Sequence, residues 1–319
     1  MHERHFEPRG VIPACLMPFD ADLAIDEAAY RAHLEDIASV AGISGITING
    51  HAAEVHALTI EEQKRAIVVT KEVLQSRVPA IVGICTESSL EAGRLASYAQ
   101  REGADGLLVF PPAFMTLGGH LRPEMIYEHL RRITDASDLP IILFQFPLAS
   151  QLSYPLDTLL ELCRRFPAIR AVKDQIGDGN QHERQIRELH ALDKSVNTLT
   201  THSAWLLGSL AMGCDGLLSG AGSVIADLQL ALFNAVQAGD LKAAREINDR
   251  IYPTVRAFYD APLLDMHNRM KEALVLLGRM KEAHVRPPLM KPSAAEIEKI
   301  GRMMELAGLT PENVYRFAA

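Results

Sequence analysis

Apolar and polar positions along this chain follow two periods, and stretches of one alternate with stretches of the other. Short runs rich in β-branched and aliphatic residues recur at 11–17 (VIPACLM), 45–48 (GITI), 80–84 (AIVGI), 106–110 (GLLVF), 141–146 (IILFQF), 169–173 (IRAVK), 196–200 (VNTLT) and 216–219 (GLLS). Their almost unbroken hydrophobicity fits strands covered on both faces, as in a parallel sheet. Between them apolar residues return every three to four positions, the spacing of one helix face. Asp26 stands before EAAYRAHLEDIASVAG, with Gly42 placed to stop that helix. Thr59 and Glu62 form a capping box ahead of IEEQKRAIVVTKEVL. The same logic marks helices over 88–102, 123–136, 155–166, 180–191 and 203–212.

Eight strand-plus-helix units predict an α/β fold, a (β/α)₈ TIM barrel. After the eighth strand the helical period continues through 226–238, 240–259, 265–278 and 293–308, more helix than one barrel needs. We therefore expect a barrel core over 1–225 and, over 226–319, the last barrel helix plus a C-terminal helical extension.

Composition narrows the partners. The chain has 319 residues, 48% of them apolar, and a formal charge of -8 with no run of Lys and Arg, so it lacks the basic footprint that a phosphate backbone requires. No apolar stretch approaches the roughly 20 residues that span a bilayer, and MHERHFEPRG has no signal-peptide core. The expectation is a cytoplasmic protein with a small-molecule ligand and neither nucleic acid nor membrane as partner. Cys15, Cys85, Cys163 and Cys214 are far apart and read as buried free thiols.

In such barrels the chemistry collects at the C-terminal ends of the strands. Those ends bring Asn49, Gly50, His51 and Glu54 from strand two, Pro111 and Pro112 from strand four, and Gln145 from strand five. Lys173 and Asp174 follow strand six, Thr200, Thr201 and His202 strand seven, and Ser219 and Gly220 strand eight. Lys173 ends an apolar strand, a setting that penalises an ammonium and favours the neutral, nucleophilic amine. Read from the strand pattern alone, it is equally an ordinary lysine leading into KDQIGDGN. The stretch INGHAAEVHA places His51, Glu54 and His56 within six residues, but His51 and His56 are five apart across a strand-to-helix turn, a poor spacing for a metal. No metal or other cofactor is expected. His202 either reaches the pocket mouth or sits in solvent beside a helix capped by Thr201 or Ser203.

Seven segments in order carry a resemblance: GVIPACLMPFD, SGITINGHAAEVHALTIEEQKR, GADGLLVFPP, LPIILFQFP, IRAVKDQIGD, AMGCDGLLSGAGSV and VRPPL. Together they resemble the dihydrodipicolinate synthase and N-acetylneuraminate lyase superfamily, class I aldolases and lyases that form a Schiff base with pyruvate or another 2-oxo acid. The resemblance implies a barrel with a C-terminal helical extension, assembly as a homotetramer, and Lys173 as the Schiff-base lysine. It implies a 2-oxo acid pocket lined by Gly50, Ala52, Ala53, Phe144, Gln145, Ser219 and Gly220.

The departures bear on the reaction. Where the family has a G-T-T-G-E loop, this chain reads Gly50-His51-Ala52-Ala53-Glu54, so both hydroxyls are gone and backbone N–H groups are left to receive the carboxylate. The family's relay tyrosine aligns with Phe144, and its carboxylate-gripping arginine with Ala149. A second tyrosine is missing after Pro111-Pro112, where Ala113 and Phe114 follow. Dihydrodipicolinate synthesis is therefore not expected. His51, in the relay corner, is expected to handle protons with a pKa suited to neutral pH, and Glu54 to bond loop amides at a helix start. Three functions stay open: a Schiff-base lyase or aldolase, a 2-keto-3-deoxy sugar acid dehydratase, and a 2-oxo acid binder that has lost catalysis. Phe110, Phe114, Phe144, Phe146 and Leu148 suggest an apolar lining suited to an aromatic aldehyde.

Overall fold

The computed structural model of the protein describes residues 6–312; the outermost ends of the two expected regions, 1–5 and 313–319, lie outside them. Eight parallel strands run in chain order: β1 (Gly10–Pro13), β2 (Ile46–Ile48), β3 (Ala80–Ile84), β4 (Gly106–Val109), β5 (Ile141–Gln145), β6 (Ile169–Asp174), β7 (Asn197–Thr200) and β8 (Gly216–Ser219). They pair in the order β1-β8-β7-β6-β5-β4-β3-β2. A bridge between Ala14 and Thr47, with the Cys15 N–H donating to Thr47 O at 2.8 Å, joins the two ends of the sheet. The fold is the expected (β/α)₈ barrel.

The first strand is shorter than its apolar run. Beyond Pro13 the Ala14 N–H turns to Ser219 O and the Cys15 N–H to Thr47 O, so the chain crosses from β8 towards β2. Residues 14–17 are buried because they seal this seam, and burial alone made them read as strand.

Helices alternate with the strands: α1 (Glu27–Ala38), α2 (Ile60–Leu74), α3 (Ser89–Arg101), α4 (Pro123–Thr134), α5 (Leu156–Arg165), α6 (Gly179–His190), α7 (Leu206–Ala211) and α8 (Gly222–Gln237). The Asp26 side chain accepts from the Ala29 N–H, and both halves of the Thr59–Glu62 capping box form. The seventh helix starts later than its apolar pattern, because 203–205 tighten into a 3₁₀ turn. The eighth starts earlier, at Gly222 rather than 226, where a Cβ would come within 2.8 Å of Pro13 Cα. Glycine lets the helix begin directly against β1, and the Ser223 hydroxyl fixes the join by donating to Ala14 O at 2.6 Å.

Three further helices, α9 (Leu241–Phe258), α10 (Met266–Leu276) and α11 (Ala294–Leu306), complete the C-terminal part. Phe258, Met270, Ile300 and Met304 belong to one apolar cluster with Val11, Leu217 and Val224. At about 1.5–3 kcal/mol for each large apolar side chain buried, this shared core fixes the annex against the β1–β8 side of the barrel. The end of α9 and the start of α10 thereby come to the C-terminal mouth of the strands, where Tyr259 and Met266 line the cavity.

Candidate active site

At the C-terminal ends of the strands lies a cavity of about 430 Å³, lined among others by Gly50, His51, Ala52, Phe144, Phe146, Lys173, His202, Ser203, Gly220 and Tyr259. Strand alternation decides which side chains enter it. On β6, Lys173 points inward and Asp174 outward; at the end of β5, Phe144 and Phe146 point inward and Gln145 outward.

Lys173 is 6% exposed, and its Nζ lies 3.9 Å from the centroid of the Phe144 ring. Among the described residues no carboxylate compensates it, and burial pushes the amine down from 10.5 to about 7. About half of these amines are therefore neutral at pH 7, against a negligible fraction for a solvated lysine.

Asp174 anchors the end of β6 on its outer face. Its carboxylate accepts from the Ile176 N–H at 2.6 Å, from His182 Nδ1 at 2.6 Å and from Gln185 Nε2 at 2.8 Å. Burial pushes its pKa up, but these hydrogen bonds outweigh it and the net direction is down. His202 Nε2 stands 3.8 Å from the same carboxylate, and its ring packs 4.6 Å from Trp205. His202 is thus buried and faces the cavity. Ser203 does not cap a helix; its hydroxyl meets that of Ser219 at 3.2 Å.

Asp174, His182 and His202 bring one ligand-type atom each within 4.8 Å of one another. His182, however, already spends Nδ1 on Asp174 and Nε2 on Ser209, each at 2.6 Å, so an ion there would displace one of two short hydrogen bonds. His51, Glu54 and His56 diverge: His51 faces the cavity, Glu54 turns to Lys271, and His56 is exposed beside His267.

The 50–54 turn is set by backbone geometry. Asn49 and Glu54 adopt φ of 51° and 53°, and a Cβ at residue 83 would fall 2.0 Å from Asn49 O, so glycine there lets the bend pack onto β3. His51–Ala53 form a 3₁₀ turn whose first N–H groups, those of His51 and Ala52, have no acceptor within it. The Glu54 carboxylate does not bond loop amides at a helix start. It forms a fully buried ion pair with Lys271 of α10 and accepts from the Arg286 N–H at 3.1 Å.

The His51 ring lies among three phenyl rings, with centroids 5.0 Å from Phe110, 5.7 Å from Phe144 and 5.5 Å from Phe146. Burial, helped by the Lys173 charge, pushes its imidazole down to about 3. The expected pKa near neutrality is thus corrected: a cage of hydrocarbon beside an amine disfavours a second cation.

Of the other expected site residues, Gly50, Ala52, Phe144 and Gly220 line the cavity. Ala53 does not; it is buried in the core cluster on the β2–β5 side, and its N–H bonds Gly50 O. Gln145 is fully buried behind β5, holding Tyr154 N and O and Gln185. Ser219 lies beneath the lining, joined to Ser203. Phe114 and Leu148 are exposed, so the apolar wall consists of Phe144 and Phe146 over Leu108, with Phe110 behind His51. Tyr259 was not legible as a site residue: it ends a helical pattern in the annex, 86 residues after Lys173 (259 less 173), and no local spacing says that this helix end turns over the mouth.

Comparisons with known proteins bear on the family and the fold. The model of the dihydrodipicolinate synthetase family matches residues 7–307. The chain is 31% identical over 304 residues to the 4-hydroxy-tetrahydrodipicolinate synthase of Bartonella bacilliformis, covering 95% of this chain and 99% of that one. It is 33% identical over 309 residues to the enzyme of the same name from Hyphomonas neptunium, covering 94% and 98%. In fold it is similar to the crystal structure of YagE, a prophage protein of that family from E. coli K12 in complex with pyruvate, with a TM-score of 0.86 at 23% identity over 94% of this chain and 99% of that one. Matched over nearly its whole length by the family model and by relatives above 30% identity, the chain belongs to the dihydrodipicolinate synthetase family.

Proposed function

We propose that the protein is a Schiff-base-forming lyase or aldolase that acts on pyruvate or a related 2-oxo acid through Lys173. The observation that carries this reading is a buried amine, uncompensated by any carboxylate among the described residues, opening into a cavity at the end of β6. In its neutral form Nζ adds to the C2 ketone, giving a carbinolamine that loses water to become an iminium ion. With a 4-hydroxy-2-oxo acid, the C4 hydroxyl passes its proton to the neutral His51 ring or to water, C4–O becomes the carbonyl of the departing aldehyde, and the C3–C4 electron pair flows to the cationic nitrogen, leaving an enamine. Protonation at C3 and hydrolysis return the 2-oxo acid and the free amine.

The substrate carboxylate sits against the N–H groups of His51 and Ala52, which supply dipoles in a dry site. His51 enters as a neutral ring that both donates and accepts a hydrogen bond, and its pKa climbs when a carboxylate arrives beside it. The reaction of the relatives named 4-hydroxy-tetrahydrodipicolinate synthase is not the one proposed, because Phe144 has no proton to move and Ala149 no charge to grip a second carboxylate. A homotetrameric assembly and a cytoplasmic location belong to the same proposal and are supported by the family resemblance.

Borohydride reduction in the presence of pyruvate, followed by peptide mass spectrometry, tests the reading. A reduced adduct on the peptide containing Lys173 is expected. Failure to find one with several 2-oxo acids sinks the assignment.

A further inference from the structure

Among the described residues, those lining the cavity include no Asp, Glu or Arg, and the one lysine, Lys173, is the amine that forms the imine. Selection of a carboxylate over a neutral group therefore has to come from N–H and O–H donors held in place. Two such donors are the N–H groups of His51 and Ala52. Gly220 stands opposite: a carbon placed as its Cβ would touch Ala52 Cβ at 3.5 Å and Tyr259 Oη at 3.6 Å. The phenol of Tyr259 and the 50–54 turn thus flank one glycine.

One fixed donor points at the phenol oxygen. The Ala221 N–H donates into the oxygen at 2.9 Å. The Ser203 and Ser219 hydroxyls, 3.2 Å apart, act against the rise that burial imposes on the phenol's pKa. A phenol oxygen that receives hydrogen bonds becomes the stronger donor towards an anion.

We propose that Tyr259, carried in from the C-terminal helices, completes the carboxylate site: its hydroxyl donates to the 2-oxo acid carboxylate that also meets the His51 and Ala52 N–H groups. This makes Tyr259 a specificity-determining residue for 2-oxo acids over neutral ketones, supplied by the annex in a turn whose own side chains are methyl groups at Ala52 and Ala53. The inference rests on the imine reading above.

The test measures the second-order rate of borohydride trapping with pyruvate and with pyruvamide, which offers the same ketone without the charge. In Tyr259→Phe the rate with pyruvate is expected to fall at least tenfold and that with pyruvamide threefold or less, since a hydrogen bond to a charged group is worth more than one to a neutral group. Labelling at saturating pyruvate reaches the wild-type extent. Equal falls for both ligands would reduce Tyr259 to a packing residue and overturn the proposal, as would no change in either. Should Tyr259→Phe not fold, Ser203→Ala keeps the ring and removes one hydroxyl from the phenol: a selective loss of about threefold with pyruvate supports the inference, and an unselective or absent loss overturns it. Wild-type protein that traps neither ligand removes the imine reading, and this inference with it; wild-type trapping with an unselective variant removes this inference alone.

Discussion

Two lysines of this barrel are buried, one lining the cavity and one not, and their surroundings separate a structural charge from a reactive one. Lys271 is wholly buried: its Nζ pairs with Glu54, donates to His284 O at 2.7 Å, and lies 4.4 Å from the Phe19 ring centroid. Lys173 also lies over a ring, at 3.9 Å, but opens into the cavity and, among the described residues, has no carboxylate beside it. Burial lowers both, Lys271 to about 8 against the pull of Glu54 and Lys173 to about 7. The two values are close, so a depressed pKa does not by itself identify a nucleophile. What distinguishes Lys173 is that its hydrogens are not already given to fixed acceptors and that space for a ketone lies in front of it.

The sharpest break between the two is substitution by methionine. Lys173→Met abolishes trapping of any 2-oxo acid, while the fold gains stability. The sign follows from proton linkage: the unfolded lysine holds its proton up to 10.5 and the folded one only to about 7, so the unfolded state is the more protonated in between. The stability contribution of Lys173 therefore rises with pH across that window, and below it the residue is a constant penalty. At pH 5 the variant is expected to unfold with a free energy higher by on the order of 4 kcal/mol, read from urea titration. Lys271→Met acts in the opposite direction. It leaves the Glu54 carboxylate buried and uncompensated, a loss of about 3–5 kcal/mol, and a double variant with Glu54→Leu recovers much of it. Stabilities that move the same way in the two single variants would erase the distinction.

The sequence carried one of these lysines and not the other, for a physical reason. Lys173 announces itself because a polar residue ends a hydrophobic strand, and the position of a strand end in a barrel is fixed by the fold. Lys271 lies inside an amphipathic helix pattern where a lysine reads as solvated; its burial depends on how α10 lies over the 50–54 turn. Tyr259 was hidden in the same way. The strands and helices themselves were legible almost throughout, because their periods are local, and the misread boundary at 14–17 arose where the chain leaves its strand partner and crosses to another through a single bridge. Gln145 and Ala53 were drawn into the expected site by position in a motif, yet strand alternation turns the first away from the cavity and the second packs against the core.

The pH dependence of trapping sharpens the comparison next. Below about 7 the neutral fraction of Lys173 falls tenfold per unit, so the rate of imine formation at pH 5 is expected to be roughly a hundredfold below its plateau, with one midpoint near 7. Because His51 is neutral down to about 3, it adds no second midpoint between pH 5 and 9. A bell-shaped profile in the free enzyme would contradict the neutral ring.

The smallest effect concerns the ring beneath the amine. Phe144 offers its face to Nζ at 3.9 Å, which favours the ammonium form and resists the fall in pKa that burial imposes. A cation–π contact is worth about 0.5–2 kcal/mol, so its removal corresponds to roughly 0.4 to 1.5 units of pKa. Phe144→Leu keeps the wall apolar and removes the quadrupole, and the midpoint of the trapping profile is expected to move down by that amount. Water admitted by the smaller side chain acts the other way, because it solvates the charge. A midpoint that moves up would mean that solvation, not the ring, sets the protonation of Lys173, and the aromatic face shared by the two lysines would then have no electrostatic role at this one.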